Sequence, residues 1–471
     1  MVADEEAWPA YEETEPRPSL RDVSYDPAES AEAATHAISR VARAAHWAIT
    51  LSVIAVLGWV TVVVNEQATS FVLVVYWYIG AGVISLCLVA FVCGRRYLHN
   101  EPAEGKVLCI VPAYNEDPEG LRKTVCALLR QTVPVDITVI DDGSQIPVVP
   151  SVHHPRVKWQ RQDNTGKRGA QCTVLKQHSP DDYQFILTVD SDSEPYPDAC
   201  EHLLRAMANP KVMAATGMIY IRNHHETWVS LAADLDIGCS CVMMRASRSM
   251  LGALETTSGA LALYRSRLLY DHLPGYAVEC GTGDDRWLAL RALRGGQVVA
   301  VAEALVETDM PTTLRGTYKQ RLRWSRSWWW MMPYALKFLG PKQMISPLYG
   351  VTQLLVTPTM VGYIAITTAV TVGGRYGTHV TILAIYFAAY VFVRYALSGL
   401  YLIGRPNVSV GRKLFLFLVG TPAAVFLNAI LLVPTRYIAL TKLFDNRWQT
   451  RELSAADLAR AEQLTPELKP A

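Results

Sequence analysis

Three short strings stand in chain order at Asp190-Ser191-Asp192, Gly283-Asp284-Asp285-Arg286 and Gln320-Arg321-Leu322-Arg323-Trp324. Carboxylates are hard oxygen ligands, suited to a divalent ion that bridges a diphosphate. Such an ion neutralises charge on a departing phosphate oxygen. Asp192 is the candidate metal ligand, for Mg²⁺ or Mn²⁺, and Asp190 is placed with the nucleotide. A carboxylate held at a helix N-terminus can take the proton of an attacking hydroxyl. Asp285 is the candidate base, with Asp284 orienting it. Gln320 and Trp324 lie one helical turn apart and can hydrogen-bond and stack on a sugar ring, while Arg323 can pair with a diphosphate.

Two further strings fit the same chemistry. Ala113, Tyr114 and Glu116 end one apolar run and Asp142 ends the next, which supplies a seat for a base and carboxylates for ring and ribose hydrogen bonds. Lys167, in Gly166-Lys167-Arg168-Gly169, adds positive charge for the phosphates. Singly, each string has a plainer account: a polar turn, a solvated loop, or a helix N-cap at Asp284-Asp285. A basic helix resting on anionic headgroups would also explain Arg315, Arg321 and Arg326. Together in one block, they point to group transfer from a nucleotide donor.

The elements that must position these residues alternate between strand and helix. Lys106–Ala113, Val135–Asp142, Phe185–Asp192 and Val212–Ile221 are predicted strands, with helices at Pro118–Gln131 and Pro197–Ala208. That alternation predicts a mostly parallel sheet covered by helices, binding its ligand at the carboxyl ends of the strands. Period-two alternation along Phe185–Asp192 would put Asp190 and Asp192 on one side.

The flanks read as membrane. Apolar residues make up 51% of the chain and charged residues 18%. The expected organisation is an acidic unstructured tail (1–45), a transmembrane hairpin (46–94), a catalytic block (105–327), an interfacial helix (328–343), C-terminal membrane helices (344–440) and a terminal segment (441–471). Arg40, Arg43, Arg95 and Arg96 flank the hairpin, which places its ends and the block in the cytoplasm. Runs at Met344–Gly374, Thr381–Gly404 and Leu414–Thr435 follow. Gly420, Pro422 and Pro434 are expected to break the last, leaving the C-terminus cytoplasmic. Arg394 sits mid-run, where a charge is costly and faces a polar path; a polymer channel is the expectation, beside snorkelling or local pairing. A net charge of +1 gives no reason to expect a nucleic-acid partner, and nine cysteines without CxxC spacing read as reduced thiols.

Taken together, these motifs resemble those of the processive family 2 glycosyltransferases of GT-A fold, across about Ala45–Glu452. Hyaluronan, chitin and cellulose synthases belong to that group. Gly283-Asp284-Asp285-Arg286, Ser258-Gly259 with Tyr264-Arg265, and Trp448-Gln449-Thr450-Arg451 look most like hyaluronan synthases, with rhizobial chitooligosaccharide synthases close behind. The resemblance implies a Rossmann-like α/β catalytic domain in the cytoplasm, inserted between transmembrane helices of a multi-pass plasma-membrane protein. It also implies UDP-sugar donors (UDP-N-acetylglucosamine and UDP-glucuronate), inverting transfer, and a growing polysaccharide exported through the bilayer. By it, Asp192 takes the metal, Asp285 is the base, Gln320, Arg323 and Trp324 line the acceptor site, and Trp448 and Arg451 lie near the active site. Arg321 departs from the pattern, standing where hyaluronan synthases usually carry a second Gln; Thr256-Thr257 stand where they tend to carry cysteine. A one-sugar transfer to a lipid carrier and a regulatory nucleotide-binding scaffold are the rival expectations.

Overall fold

The computed structural model describes residues 40–67, 71–94, 97–281, 283–344, 350 and 377–443. The predicted tail as far as residue 39, nearly all of the run Met344–Gly374, and Trp448 and Arg451 fall outside them; residues 40–45, expected as tail, already belong to the helix Arg40–Gln67.

Eight strands among the described residues form one sheet, ordered β3-β2-β1-β4-β7-β6-β8-β5. They are β1 (Val107–Ala113), β2 (Val135–Asp142), β3 (Val157–Gln162), β4 (Phe185–Thr188), β5 (Glu194–Pro195), β6 (Val212–Ile221), β7 (Ala262–Arg265) and β8 (Gln297–Thr308). β3, β2, β1 and β4 run parallel, whereas β7 pairs antiparallel with both β4 and β6. The sheet is therefore mixed. Every residue of β1 is buried, as befits an inner strand with helices on both faces.

One expected strand is shorter than its apolar run. β4 stops at Thr188, and the Ser193 amide donates to the Asp190 carbonyl at 3.1 Å, closing a turn. Strand alternation therefore does not orient Asp190 and Asp192. A turn does.

Helix Leu314–Phe338 joins the two stretches that the sequence divided at Trp328. The Thr313 hydroxyl caps it by accepting from the Gly316 amide. Among the described residues, three helices are long and apolar enough to cross a membrane: Arg40–Glu66, Ala384–Gly404 and Val410–Thr441. The last runs unbroken past Gly420, Pro422 and Pro434, contrary to the expected interruption. Wide π turns at Leu416–Gly420 and Asn428–Leu432 precede the two prolines. A wider turn accommodates the ring that would otherwise strike the carbonyl four residues back.

The sheet is joined to the membrane helices by a buried polar junction. Asp234, on helix Trp228–Ile237, pairs with Arg405 and accepts from the Tyr401 hydroxyl at 2.9 Å; its side chain is wholly buried. Arg405 also donates to the Ile221 carbonyl at the end of β6, at 2.8 Å. Asn407 donates to the Tyr196 hydroxyl (2.6 Å), which donates to Glu307 (2.8 Å).

Candidate active site

At the ends of β1 and β2, much of the polar chemistry is spent on shape. Asp141 accepts from the Ser144 and Val148 amides and pairs with Arg161 at 2.5 Å, so it braces the loop. Gly143, at φ +72°, makes the turn that a side chain would strain. Asp142 is held by Gln162 (2.7 Å) and the Thr165 amide (2.9 Å). Glu116 accepts from the Ser191 hydroxyl at 2.7 Å, tying the first strand end to the acidic turn. Ala113, Tyr114, Glu116 and Asp142 all line one cavity.

Lys167 links the two acidic strings. Its ammonium lies 2.7 Å from Asp190 Oδ1 and 3.2 Å from Asp284 Oδ2. Burial would lower its pKa, but Asp190, Asp284 and Asp285 outweigh that and hold it well above the ordinary lysine value. Gly259 lets these groups meet: a Cβ there would lie 2.8 Å from Asp190 Oδ2 and 2.9 Å from Lys167 Nζ. Asp284 and Asp285 open the helix Asp284–Gly295, whose N-cap is Gly283, so neither acid is the capping residue. Burial pulls the Asp284 carboxyl up, yet Lys167, Arg168 and Arg323 prevail and hold it below its usual range. Burial and then the Asp284 charge push Asp285 up to about 7. Two adjacent carboxyls thus carry different proton affinities, one poised for exchange near neutrality.

The donor set fits a divalent ion of the Mg²⁺ kind. Asp192 lines the cavity, with the Ser193 and Thr308 hydroxyls each 3.3 Å from its Oδ1. Among the described residues, no three His, Cys, Asp or Glu side chains converge as a metal cage. An ion held by one or two carboxylates plus substrate phosphates needs no such cage.

Helix Leu314–Phe338 brings Gln320, Arg323 and Trp324 to the same cavity. Gln320 Nε2 lies 3.4 Å from Met310 Sδ, and its Oε1 is buried without a hydrogen bond. Arg323 acts on Asp284. Arg321 and Arg326, which a headgroup-binding helix would have presented outward, turn inward instead. Arg321 pairs with Asp236 at 3.0 Å and covers the Trp324 ring at 4.5 Å; Arg326 is buried. Arg315 alone of the three is exposed.

The cavity, of about 1480 Å³, does not end at the catalytic block. Trp77, Ala81, Tyr386, Val393, Arg394 and Asn428, from helices at both ends of the chain, line its far part. Asp192, Asp285, Trp324 and Arg394 therefore share one space. Sequence reasoning missed Glu255, Asp236, Arg245 and Arg248, and gave Arg286 only a supporting place beside the acids. Arg286 lies 3.0 Å from buried Glu255, with Arg248 at 4.0 Å, and Arg245 donates to the Thr257 carbonyl at 3.1 Å. The available signal was Arg245 and Arg248 following the apolar stretch Ile237–Met244, where lone charges need partners.

Residues 102–327 match the family described as "Glycosyltransferase like family 2". This segment is a family 2 glycosyltransferase domain. Its mixed sheet, with acidic motifs at the strand ends, is the GT-A arrangement, here flanked by helices apolar enough to cross a membrane. The chain is 31% identical to the hyaluronan synthase of Streptococcus pyogenes over 268 residues, 52% of this chain; the match spans 63% of that protein's length. The N-acetylglucosaminyltransferase of Sinorhizobium fredii is 29% identical over 368 residues, covering 74% of this chain and 84% of its own. A solved mannosyltransferase from Pyrobaculum calidifontis, in complex with GDP-Man and Mn²⁺, overlays 80% of this chain and 100% of its own, with a TM-score of 0.48 and 17% identity.

Proposed function

We propose that this protein polymerises UDP-sugars into a β-linked polysaccharide and passes the product along its own membrane helices. The observation that carries this reading is the single cavity shared by Asp190, Asp192, Asp285, Trp324 and residues of the membrane helices. A one-sugar transferase has no need of that continuity. Ala113, Tyr114, Glu116 and Asp142 seat the nucleotide, and Lys167 and Arg323 face its phosphates. Asp192 holds the divalent ion, Mg²⁺ or Mn²⁺, which supplies charge neutralisation on the leaving diphosphate. Asp285 accepts the proton of the acceptor hydroxyl as its oxygen bonds to the anomeric carbon. The bond from that carbon to the diphosphate oxygen breaks, UDP leaves with the electron pair, and the anomeric centre inverts. Asp284 stays ionised against Lys167 and keeps Asp285 basic enough for the task. Gln320 and Trp324 hold the acceptor sugar, and Arg394 lines the exit.

The catalytic block then faces the cytoplasm of a multi-pass plasma-membrane protein. A hyaluronan-like product is the first expectation. An N-acetylglucosamine polymer is the second, favoured by the longer span of the rhizobial match. The test is purified protein in lipid with Mg²⁺ or Mn²⁺ and labelled UDP-N-acetylglucosamine, with and without UDP-glucuronate, followed by hyaluronidase or chitinase digestion. Long product sensitive to one of these enzymes is expected; single-sugar transfer alone would overturn the polymerase reading.

A further inference from the structure

The membrane half of the cavity is short of acceptors. Among the described residues, four buried guanidinium nitrogens of its lining hold no hydrogen bond and lie outside the ion pairs: Nη1 of Arg245 and the Nε of Arg286, Arg321 and Arg394. The carboxylates beside them are few. Glu255 stands 3.0 Å from Arg286 and 4.0 Å from Arg248, and Asp236 stands 3.0 Å from Arg321 and also acts on Arg394. Arg245, Arg248, Arg286, Arg321 and Arg394 thus draw on Glu255 and Asp236, with Asp285 also acting on Arg245. Arg245 is only 9% exposed. A buried guanidinium with unused donors is costly, and the deficit is tolerable where a ligand brings the missing acceptors. A carboxylate is the acceptor that a guanidinium takes in bidentate fashion; a neutral sugar offers only single, weaker acceptors.

The placement is as informative as the count. Arg321 comes from the acceptor helix and Arg394 from membrane helix Gly377–Gly404, and they meet around Asp236 where the catalytic block adjoins the membrane helices. Trp324 lies in the same corner under Arg321. A saccharide stacked on that indole would bring its ring substituents to both guanidinium groups.

We infer that Arg321 and Arg394 around Asp236 form a subsite for a carboxylate-bearing saccharide, with Arg245 and Arg286 lining the approach. The chain passing through this corner is then acidic rather than neutral. This rests on the polymerase reading and names the chemical class of its product.

The test is equilibrium binding to the full chain in lipid nanodiscs, using an acidic oligosaccharide (a hyaluronan hexasaccharide) and a neutral one of equal length (chitohexaose). UDP is titrated as a third ligand. The acidic oligosaccharide is expected to bind about tenfold tighter than the neutral one, with affinity falling as salt rises. R321Q and R394Q should each remove about that tenfold, leaving the neutral ligand and UDP within about twofold. Asp236→Asn, which removes the competing carboxylate, should tighten the acidic ligand instead. That gives a readout of opposite sign should either arginine variant fail to fold. Equal affinity for the two oligosaccharides overturns the inference. So does a parallel loss of UDP binding in R321Q, which would assign the arginine to the diphosphate. A neutral polymer made by a protein without acidic preference sinks this inference and leaves the polymerase reading standing. Acidic preference in a protein that turns over no UDP-sugar does the reverse.

Discussion

At the strand ends carboxylates crowd together, and most are answered by protein groups: Asp141 by Arg161 and two amides, Asp190 and Asp284 by Lys167, Asp142 by Gln162 and Thr165. Toward the membrane helices arginines crowd instead, and four of their buried nitrogens have neither a hydrogen bond nor a place in an ion pair. The first region has its electrostatics arranged before any ligand arrives, as stabilising developing charge requires. The second is arranged to receive a ligand that completes it. On the proposed function, the first half serves bond-breaking and the second holding on.

Removing the proposed base should have the largest effect on this contrast. Asp285→Asn keeps the shape and loses the proton acceptor, so UDP release is expected to fall about 10³-fold. Binding of acidic oligosaccharide should persist; a variant that retains turnover would show that the base lies elsewhere. Lys167→Met comes next. It leaves Asp190 and Asp284 facing each other without their cation, and turnover should drop about 10²-fold. Stability should fall by roughly 2 kcal/mol in chemical denaturation, less than for a fully buried pair because Asp190 is 40% exposed.

The acid limb of the rate is a finer probe. Asp285 is pushed up to about 7, above the ordinary carboxylate value, so the proposed base is ionised above that pH and protonated below it. Plotted against pH, kcat/KM should fall about tenfold per unit below neutrality. The same sign means that ionising Asp285 opposes folding, and this group adds stability as pH falls through 7 toward 4. Asp284→Asn should shift the limb to lower pH, because the neighbouring charge that raises Asp285 is gone. An unmoved limb would assign it to another group. Trp329→Phe has the smallest expected effect. It removes the bond from the indole to the Arg436 carbonyl (3.0 Å), and should cost about 1 kcal/mol by thermal denaturation with turnover within about twofold.

The parts legible in the sequence are those where burial and motif coincide. β2 and β6 occupy the residues their apolar runs mark, because inner strands are apolar on both faces. β3 was not anticipated: Val157-Lys158-Trp159-Gln160-Arg161-Gln162 lies at the sheet edge, half-buried, and carries no apolar run. β8 was missed because Ala300-Val301-Ala302-Glu303-Ala304-Leu305 is as good a helical stretch as a strand; its place between β6 and β5 decides the matter. The acidic and aromatic site residues could be found from spacing. The arginines of the membrane half were legible only singly, as Arg394 was, because they come from four segments far apart in the chain, and only the packing of the helices that carry them brings them together.

The Asp234–Arg405 pair has a consequence for anyone wishing to work with the enzyme in pieces. Its two members come from opposite sides of the boundary between sheet and bilayer helices, and they are 0% and 4% exposed. Cutting residues 102–327 free would maroon a carboxylate in an oily wall, at a cost of about 3–5 kcal/mol, alongside the apolar flank of its helix. Such a fragment would aggregate, and any detergent that prises the helices from the sheet would silence the whole protein at once.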